Sequence, residues 1–171
     1  DGFETGVLST AWETHSTSGG VIQVTGDHTP DTGNFHLTME RILSGTPALN
    51  EAILHVDATG YEDIMLSFRQ REFSDEDDAM SASFTGSENS DGVALSVDGT
   101  NWFELVDLTG AASTETYQTH TVNLSTVAAN NLLTLGSDVQ IKFQQYDNVP
   151  IDSDGMAFDG ISVTGTLAAT A

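Results

Sequence analysis

Two acidic residues near opposite ends of the chain stand beside aromatic residues in short, strand-like runs. Glu4 lies in the run Phe-Glu-Thr-Gly, and Asp159 lies in the run Ala-Phe-Asp-Gly. An antiparallel sheet that paired these two runs would bring the two carboxylates together. Because like charges at close range repel unless a cation lies between them, this arrangement predicts a buried divalent ion. The chemistry indicated is recognition rather than catalysis.

A second group of carboxylates is the run of consecutive acids at 75–78, within a long segment that has no strand pattern, residues 74–90. Loops of this length are usually functional or disordered. Four consecutive acids cannot all point toward one ion, but every second residue of the run can. Asp75 and Asp77 are therefore candidate ligands for a second calcium ion that would order the segment. A solvated acidic loop is the alternative interpretation.

The basic residues form a third candidate site, because three of only four fall on two predicted strands. In each strand they alternate with apolar residues and so point away from the core. If both strands lay in one sheet, their outward groups would form a face suited to sugar hydroxyls and carboxylates, with a tyrosine able to stack on a pyranose ring. Salt bridges between these cations and the abundant acids are the alternative. The candidate ligand-binding residues are Arg69, Arg71, Glu72, Lys142, Gln144 and Tyr146.

Patterns typical of enzymes are missing from the sequence. There is no nucleophile elbow, no Ser-His-Asp spacing and no glycine-rich phosphate loop. Pairs of carboxylates are so frequent that a glycosidase-like pair carries no information. The chain has no cysteine, which excludes disulfides and thiolate metal sites, and its five histidines lack the close spacing of zinc ligands. We therefore expect a non-catalytic protein.

The charge balance limits the partners. Twenty-six acidic residues face four basic ones, giving a net charge of −22. Such a chain does not bind nucleic acid, which requires a basic surface, and it is repelled by anionic membranes. High acidity suits saline surroundings and supplies oxygen ligands for calcium. We expect a module of a secreted or cell-surface protein of bacterial, marine origin.

The elements that would position these residues are almost all strands. Apolar and polar residues alternate with period two in nine or ten segments, and only 125–133 suggests a helical turn. The hairpin centred on the turn 98–101 resembles an Asp-box, which is mostly structural. A second loop, 147–154, carries Asn148, Asp152 and Asp154. The predicted fold is all-β: an antiparallel β-sandwich (jelly roll) of two stacked sheets, forming one domain over 1–165 with a tail or linker at 166–171.

Several short motifs resemble those of MAM domains. They are Phe3-Glu4 with Trp12, Asp27-His28-Thr29 with Thr32-Gly33-Asn34-Phe35, Leu66-Ser67-Phe68, Val139 to Phe143, and Gly155 to Ile161. Reelin repeats and calcium-containing bacterial carbohydrate-binding modules share this jelly-roll outline. The resemblance implies a structural calcium ion held by Glu4, Asp27 and Asp159, with carbonyl groups from the turn 27–33. Asp27 could instead only cap its turn. The chain departs from the family at Gly160, where a second Asp is usual, and in lacking the cysteines of animal members.

The resemblance and the basic face together predict a function. We expect a non-catalytic, calcium-stabilised carbohydrate-binding accessory module whose partner is a polysaccharide. Two alternatives stay open at this point. A calcium-dependent protein-interaction or adhesion module would capture a protein partner, and a structural spacer of a large extracellular protein would bind neither.

Overall fold

Eleven strands and one short helix make up the computed structural model, which describes residues 1–17, 19–42, 46–149 and 154–169. The strands are β1 Trp12–Ser16, β2 Gly20–Thr25, β3 His36–Arg41, β4 Ala48–Val56, β5 Tyr61–Phe73, β6 Ser83–Thr85, β7 Gly92–Ser96, β8 Asn101–Asp107, β9 Gln118–Asn123, β10 Val139–Asp147 and β11 Gly155–Leu167. Helix α1 covers Leu124–Asn130, and a single 3-10 turn covers Gly110–Ala112. No helix in these ranges is long and apolar enough to cross a membrane. Asp152 and the end of the predicted tail lie outside the described residues.

The strands form two sheets that stack as a sandwich. The six-stranded sheet has the order β1-β4-β10-β7-β8-β6, and the five-stranded sheet has the order β2-β3-β11-β5-β9. Neighbouring strands pair antiparallel throughout both sheets. The predicted fold class, an all-β antiparallel sandwich, is confirmed.

The core lies between the sheets and is built by the alternation that the sequence shows. In β5, Ile64, Leu66 and Phe68 are buried, and in β10 Ile141 and Phe143 are buried. These side chains come from opposite sheets and meet in the middle: the Phe68 and Phe143 rings lie edge to face, 5.4 Å between centroids. Such aromatic pairs stabilise beyond the area they bury.

Most predicted strands are present, with differences at weakly patterned segments. The sequence did not predict β1 or β6, whose residues include few apolar side chains. The helical turn expected near 125–133 is α1, where Asn123 accepts a hydrogen bond from the Thr126 amide and so caps the helix. β11 continues to Leu167, which pairs with Tyr61, so the first residues of the predicted tail belong to the sheet.

The two ends of the chain meet at Asp1, but residues 3–6 form no strand and do not pair with β11 as the end motifs predict. The Ile161 amide donates to the Asp1 carbonyl over 2.9 Å, and the Asp1 amino group donates back to the Ile161 carbonyl. The Asp1 carboxylate accepts from the Trp12 indole nitrogen over 3.1 Å, while Phe3 is completely buried. The first residues are thereby fixed against a bulge in β11, between Asp159 and Ser162.

Candidate functional site

The basic residues predicted to share one face lie on opposite sides of the sandwich. Arg69 and Arg71 belong to β5 in the five-stranded sheet, whereas Lys142, Gln144 and Tyr146 belong to β10 in the six-stranded sheet. The prediction of a common face is therefore wrong. Alternation identifies which side of a strand points outward, but it does not identify the sheet to which that strand belongs.

On the five-stranded sheet, the arginines hold the turn that precedes β3. Arg69 donates from Nε and one terminal nitrogen to both oxygens of Asp31, each over 2.9 Å. Arg71 donates to the His28 carbonyl over 3.0 Å. Both guanidinium groups lie about 6 Å from the Tyr117 ring centre. Salt bridging, the alternative interpretation of these cations, is thus seen at Arg69.

Two further predicted ligand-binding residues sit where their sheets meet loops. Glu72 is half-buried in β5, and burial raises the pKa of its carboxyl. Tyr146 is half-buried near the end of β10, and its amide donates to the Asp91 carboxylate over 2.7 Å. A direct role of either residue in ligand binding stays a prediction.

The outer face of the six-stranded sheet holds a buried ion pair. The Lys142 Nζ donates to Glu51 Oε1 over 2.6 Å and to the Gly86 carbonyl over 2.9 Å. It also lies 4.1 Å from the centre of the Trp102 ring. The side chains of Lys142 and Glu51 are only 3% and 8% exposed. One of the chain's four cations is therefore withdrawn from water and enclosed by a carboxylate, a carbonyl and an indole.

Gln144 anchors a segment that covers this face. We call residues 74–91 the strap; it follows β5, includes β6 and ends just before β7. The Gln144 amide nitrogen donates to the Ser90 carbonyl over 2.8 Å and to the Glu88 carbonyl over 3.0 Å. Gln144 is completely buried by these contacts. Gln144 therefore holds the strap in place, and a ligand can contact Gln144 only if the strap moves.

A small apolar cluster also holds the strap on the sheet. Met80 of the strap packs with Ile53, Ala94 and Trp102, and Phe84 lies against the group. Lys142 pairs directly with Ile53 and Ala94 across three neighbouring strands, so the ion pair sits among these side chains. Apolar surroundings strengthen the attraction between the two charges.

A cleft of about 450 Å³ opens over the ion pair. Its walls come from β1, β4, the strap and the turn between β7 and β8. The lining residues are His15, Ser16, Thr17, Glu51, Ile53, Gly86, Ser87, Gly99, Trp102 and Lys142. Ser87 donates from its hydroxyl to Glu51 Oε2 over 3.1 Å. A smaller cleft of about 210 Å³ meets the first at Trp102 and is lined also by Phe84 and Asn101.

A further cleft of about 360 Å³ lies elsewhere and offers different chemistry. Its lining residues are Val56, Asp57, Ala58, Tyr61, Ile64, Val163, Thr164 and Gly165. Asp57 is the single charged group among them, and most of the wall is apolar. The cleft over the ion pair is therefore the better candidate for a polar ligand.

The carboxylates predicted to hold calcium at the chain ends are satisfied by amide donors. Glu4 accepts from the backbone amides of Asn34 and Phe35 at 3.0–3.1 Å, and these donors lower the pKa of its carboxyl. Asp159 accepts from the amides of Thr32 and Gly160 over 3.0 Å and 2.7 Å. Both acids thus bind the turn before β3 by hydrogen bonds.

Asp27 does not complete a ligand set with these two acids. Its carboxylate accepts from the Thr25 hydroxyl over 3.0 Å, and its carbonyl accepts from His36 Nε2 over 2.6 Å. Among the described residues, Glu4, Asp27 and Asp159 do not converge closely enough to hold one ion. The turn cap, the alternative for Asp27, agrees with its contact to Thr25. As arranged here, these groups do not fit a calcium ion.

Asp75 and Asp77 also diverge. Asp75 Oδ1 accepts from the Gln145 side chain over 2.8 Å, whereas Asp77 Oδ1 accepts from the Gly110 amide over the same distance. Asp77 is exposed and Asp75 is half-buried. The prediction that these alternate residues face one ion is wrong in this structure, because the segment bends and sends the two side chains to different neighbours. Glu76, which lies between them, instead approaches Asp147 and Asp154.

Sequence reasoning missed the residues that form the cleft floor with Lys142. Glu51 lies in a predicted strand but is one of many acids. Trp102 follows the turn 98–101 that resembles an Asp-box, and Asp98 caps this turn, accepting from the amides of Thr100 and Asn101 over 2.8 Å each. Trp102 is the only buried residue of β8, and only the sheet order places it beside Lys142.

Solved structures share this architecture. TmCBM61 in complex with β-1,4-galactotriose aligns over 96% of this chain and 94% of its own, with TM-score 0.60 and 14% identity. The family 11 carbohydrate-binding module from Clostridium thermocellum, in complex with a β-1,3-1,4-mixed-linked tetrasaccharide, aligns over 99% and 95%, with TM-score 0.53 and 14% identity. The fold is shared with carbohydrate-binding modules. The low identity means that this likeness concerns the fold alone.

Sequence comparisons add no assignment: no family model and no curated protein matches the chain. A second structure of the family 11 module, from a cellulosomal cellulase of Clostridium thermocellum, gives TM-score 0.54 at 16% identity over 99% of this chain and 94% of its own. The predicted likeness to carbohydrate-binding modules is thus supported at the level of the fold, and the calcium ion stays a prediction. The likeness to MAM domains and reelin repeats stays a prediction.

Proposed function

We propose that this chain is a non-catalytic carbohydrate-binding module of a secreted or cell-surface protein, and that its polysaccharide ligand lies in the cleft over Lys142 and Glu51. One observation carries the proposal. The cleft floor is a buried Lys–Glu ion pair beside an indole ring, with hydroxyl groups and an imidazole at the rim.

Sugar hydroxyl groups both donate and accept, and the cleft presents both kinds of partner. Glu51 accepts, while Ser16, Thr17 and Ser87 have hydroxyls that do either. Charged partners make hydrogen bonds about twice as strong as neutral ones. Trp102 is only 1% exposed, so it supports the lysine from below and offers little surface for stacking. Polar contacts therefore carry most of the recognition, and affinity is expected to be modest.

The charge of the site favours a neutral glycan. Lys142 is already neutralised by Glu51 at 2.6 Å, so the cleft has no spare positive charge. The whole chain carries a net charge of −22, which repels anionic polymers at low salt. A neutral polysaccharide needs no positive charge in the cleft and is not repelled by the net negative charge of the chain. Neutral polysaccharides are therefore the proposed class of ligand.

The binding screen begins with glycans related to those held by structures of the same fold. TmCBM61 is described with β-1,4-galactotriose, and the family 11 module with a mixed-linked β-glucan fragment. Affinity electrophoresis against β-1,4-galactan, mixed-linkage β-glucan and a panel of acidic polysaccharides tests the proposal. Retardation by a neutral glycan is expected. Migration unchanged by every glycan would overturn it and favour a protein-interaction module or a spacer.

Variants locate the binding face. Glu51→Gln keeps the shape of the side chain but removes the charge, and Ser87→Ala removes a rim hydroxyl; we expect each to weaken retardation. Arg69→Ala, on the opposite sheet, is the matched control and is expected to bind normally. Loss of binding in Arg69→Ala alone would place the glycan on the five-stranded sheet instead.

Calcium enters the proposal as a structural ion rather than a ligand of the sugar. A bound ion that contacts only the folded chain stabilises it by mass action. The residues best placed to hold it are different from those the sequence suggested.

A further inference from the structure

Three carboxylates converge at one end of the sandwich. Asp147 is the last residue of β10, Asp154 immediately precedes β11, and Glu76 lies near the start of the strap. One oxygen from each of these three residues lies within 4.8 Å of the others. They come from the strap, the end of β10 and the residue just before β11.

Two of these carboxylates are buried and have no hydrogen-bond donor among the described residues. Asp147 and Asp154 are both 0% exposed, and within the described part of the chain none of their four oxygens has a hydrogen-bond partner. Removing an ionised carboxylate from water without a partner is among the most costly arrangements in a protein. Native structures rarely leave such groups unsatisfied unless an ion or water binds there.

The local positive charge is insufficient to balance them. Arg41 is buried beside Asp147, with 3.3 Å between its terminal nitrogen and Oδ1, but its own donors go to the carbonyls of Thr46 and Val149. One guanidinium, in contact with Asp147, is thus set against three carboxylates, and Asp75 and Asp91 add more negative charge near Glu76.

We propose that Glu76, Asp147 and Asp154 bind a calcium ion that ties the start of the strap to the ends of β10 and β11. All of the candidate ligands are carboxylate oxygens, which suit hard cations, and no sulfur or imidazole is present to favour zinc or copper. Calcium tolerates irregular geometry from separate segments, whereas magnesium requires a near-ideal octahedron.

The ion would set the position of the strap. Glu76 Oε1 already accepts from the Asn148 amide over 2.8 Å, which leaves its second oxygen for the ion. Gly86 and Ser87, farther along the strap, form a wall of the cleft. Occupancy of the site therefore orders that wall. The calcium proposal does not depend on glycan binding, and either can fail without the other.

Thermal unfolding in EDTA and in millimolar calcium chloride tests the site. For the wild type, calcium at about ten times its Kd is expected to raise the Tm by roughly 3–6 °C. Asp154→Asn is expected to lose this rise. In EDTA its Tm should equal or exceed that of the wild type, because the variant removes a buried charge. In calcium, therefore, the wild type is expected to have the higher Tm of the two proteins, whereas in EDTA it does not.

Glu4→Gln is the matched control, since it also removes one carboxylate and tests the site suggested by the chain ends. It is expected to keep the full calcium response. If Asp154→Asn does not fold, Glu76→Gln, at a half-buried position, is used instead and is likewise expected to lose the rise in Tm with calcium. A calcium response that persists in these cluster variants, or no response in the wild type, would overturn the proposal. Equal shifts with magnesium chloride would overturn the choice of calcium.

Discussion

Lys142 and Glu51 lie side by side on the outer face of the six-stranded sheet, with 2.6 Å between Nζ and Oε1, although each side chain is almost excluded from water. A buried ion pair is often no more stabilising than apolar residues of the same volume, because both charges lose their hydration. Stability alone therefore does not explain the pair, and its place at the floor of a polar cleft agrees with the binding role proposed for it.

Removing one member of this pair should be far more harmful than replacing both. Lys142→Ala leaves Glu51 buried and unpaired, and we expect it to lower the free energy of unfolding by about 3–5 kcal/mol. The double variant Lys142→Met with Glu51→Leu should be close to the wild type in stability. Urea denaturation of the single and double variants measures both values.

The same double variant separates folding from function. Because it keeps the fold but removes the charged groups, it should no longer be retarded by the glycan. Retardation equal to that of the wild type would show that the ion pair takes no part in binding, even if the stability values follow the prediction.

Gly155 should be irreplaceable at the start of β11. Its φ is +153°, and a Cβ built there would lie 2.1 Å from the Met39 carbonyl oxygen on the adjacent β3. β11 is fixed between β3 and β5 and cannot move aside. Gly155→Ala is expected to lower the free energy of unfolding by roughly 2–4 kcal/mol.

Gly136 provides the control for this substitution. No atom lies within 4 Å of a Cβ built at Gly136, and its φ is not in the left-handed region. Gly136→Ala should leave stability unchanged or raise it by up to about 1 kcal/mol, since alanine restricts the unfolded chain. Equal losses in the two variants would contradict the steric explanation.

His120 should make stability depend on pH. Its ring stacks on Phe68 with 4.8 Å between centroids, and its Nε2 is buried without a partner among the described residues. Burial lowers the pKa of His120 in the folded state. An unfolded chain has a His120 pKa of about 6.5, so it binds a proton at a higher pH than the folded chain does. As the pH falls below about 6.5, protonation therefore favours the unfolded state and the free energy of unfolding decreases.

His120→Phe keeps the stacked ring but cannot be protonated. The stability of the wild type relative to this variant should therefore decrease as the pH is lowered from 7 to 5, with a slope of at most about 1.4 kcal/mol per pH unit. Comparing the two proteins cancels the effect of the acidic surface on both. Parallel pH profiles would show that His120 is protonated equally in both states.

Asn123 should contribute to stability through its cap on α1. Its Oδ1 accepts from the Thr126 amide over 2.8 Å, and Leu124 in the same turn is buried in the core. Asn123→Ala is expected to cost about 1 kcal/mol of stability, while Asn123→Asp should cost much less because it retains the acceptor. Thermal unfolding of the two variants checks the difference.

The sequence is enough to predict the class of fold and the core of its long strands. Ile64, Leu66 and Phe68 alternate strictly, and such a pattern admits one buried face. It also predicts that the chain ends lie close together, although the contact is made by Asp1 and not by a strand at residues 3–6. Short edge strands such as β6 are not predicted from the sequence, because their few residues carry no periodic signal and pair only through long-range contacts.

The site could not be predicted to the same extent, because its geometry depends on sheet order. Arg69 and Lys142 occupy equivalent outward positions in their strands, yet they lie in different sheets. The acidic run gave a similar result: loop geometry sends Asp75 and Asp77 apart and turns Glu76 toward Asp147. Residue type and spacing do not encode these long-range choices.

Part of the attachment of the strap to the sheet is made through its main chain. Lys142 contacts the Gly86 carbonyl, and Gln144 contacts the carbonyls of Glu88 and Ser90, while the Ser90 hydroxyl and the Met80 side chain add contacts of their own. Exposed strap positions such as Thr85 and Ser87 can thus be randomised in a display library while the scaffold persists. New ligand preferences could be selected by changing a single continuous stretch of codons.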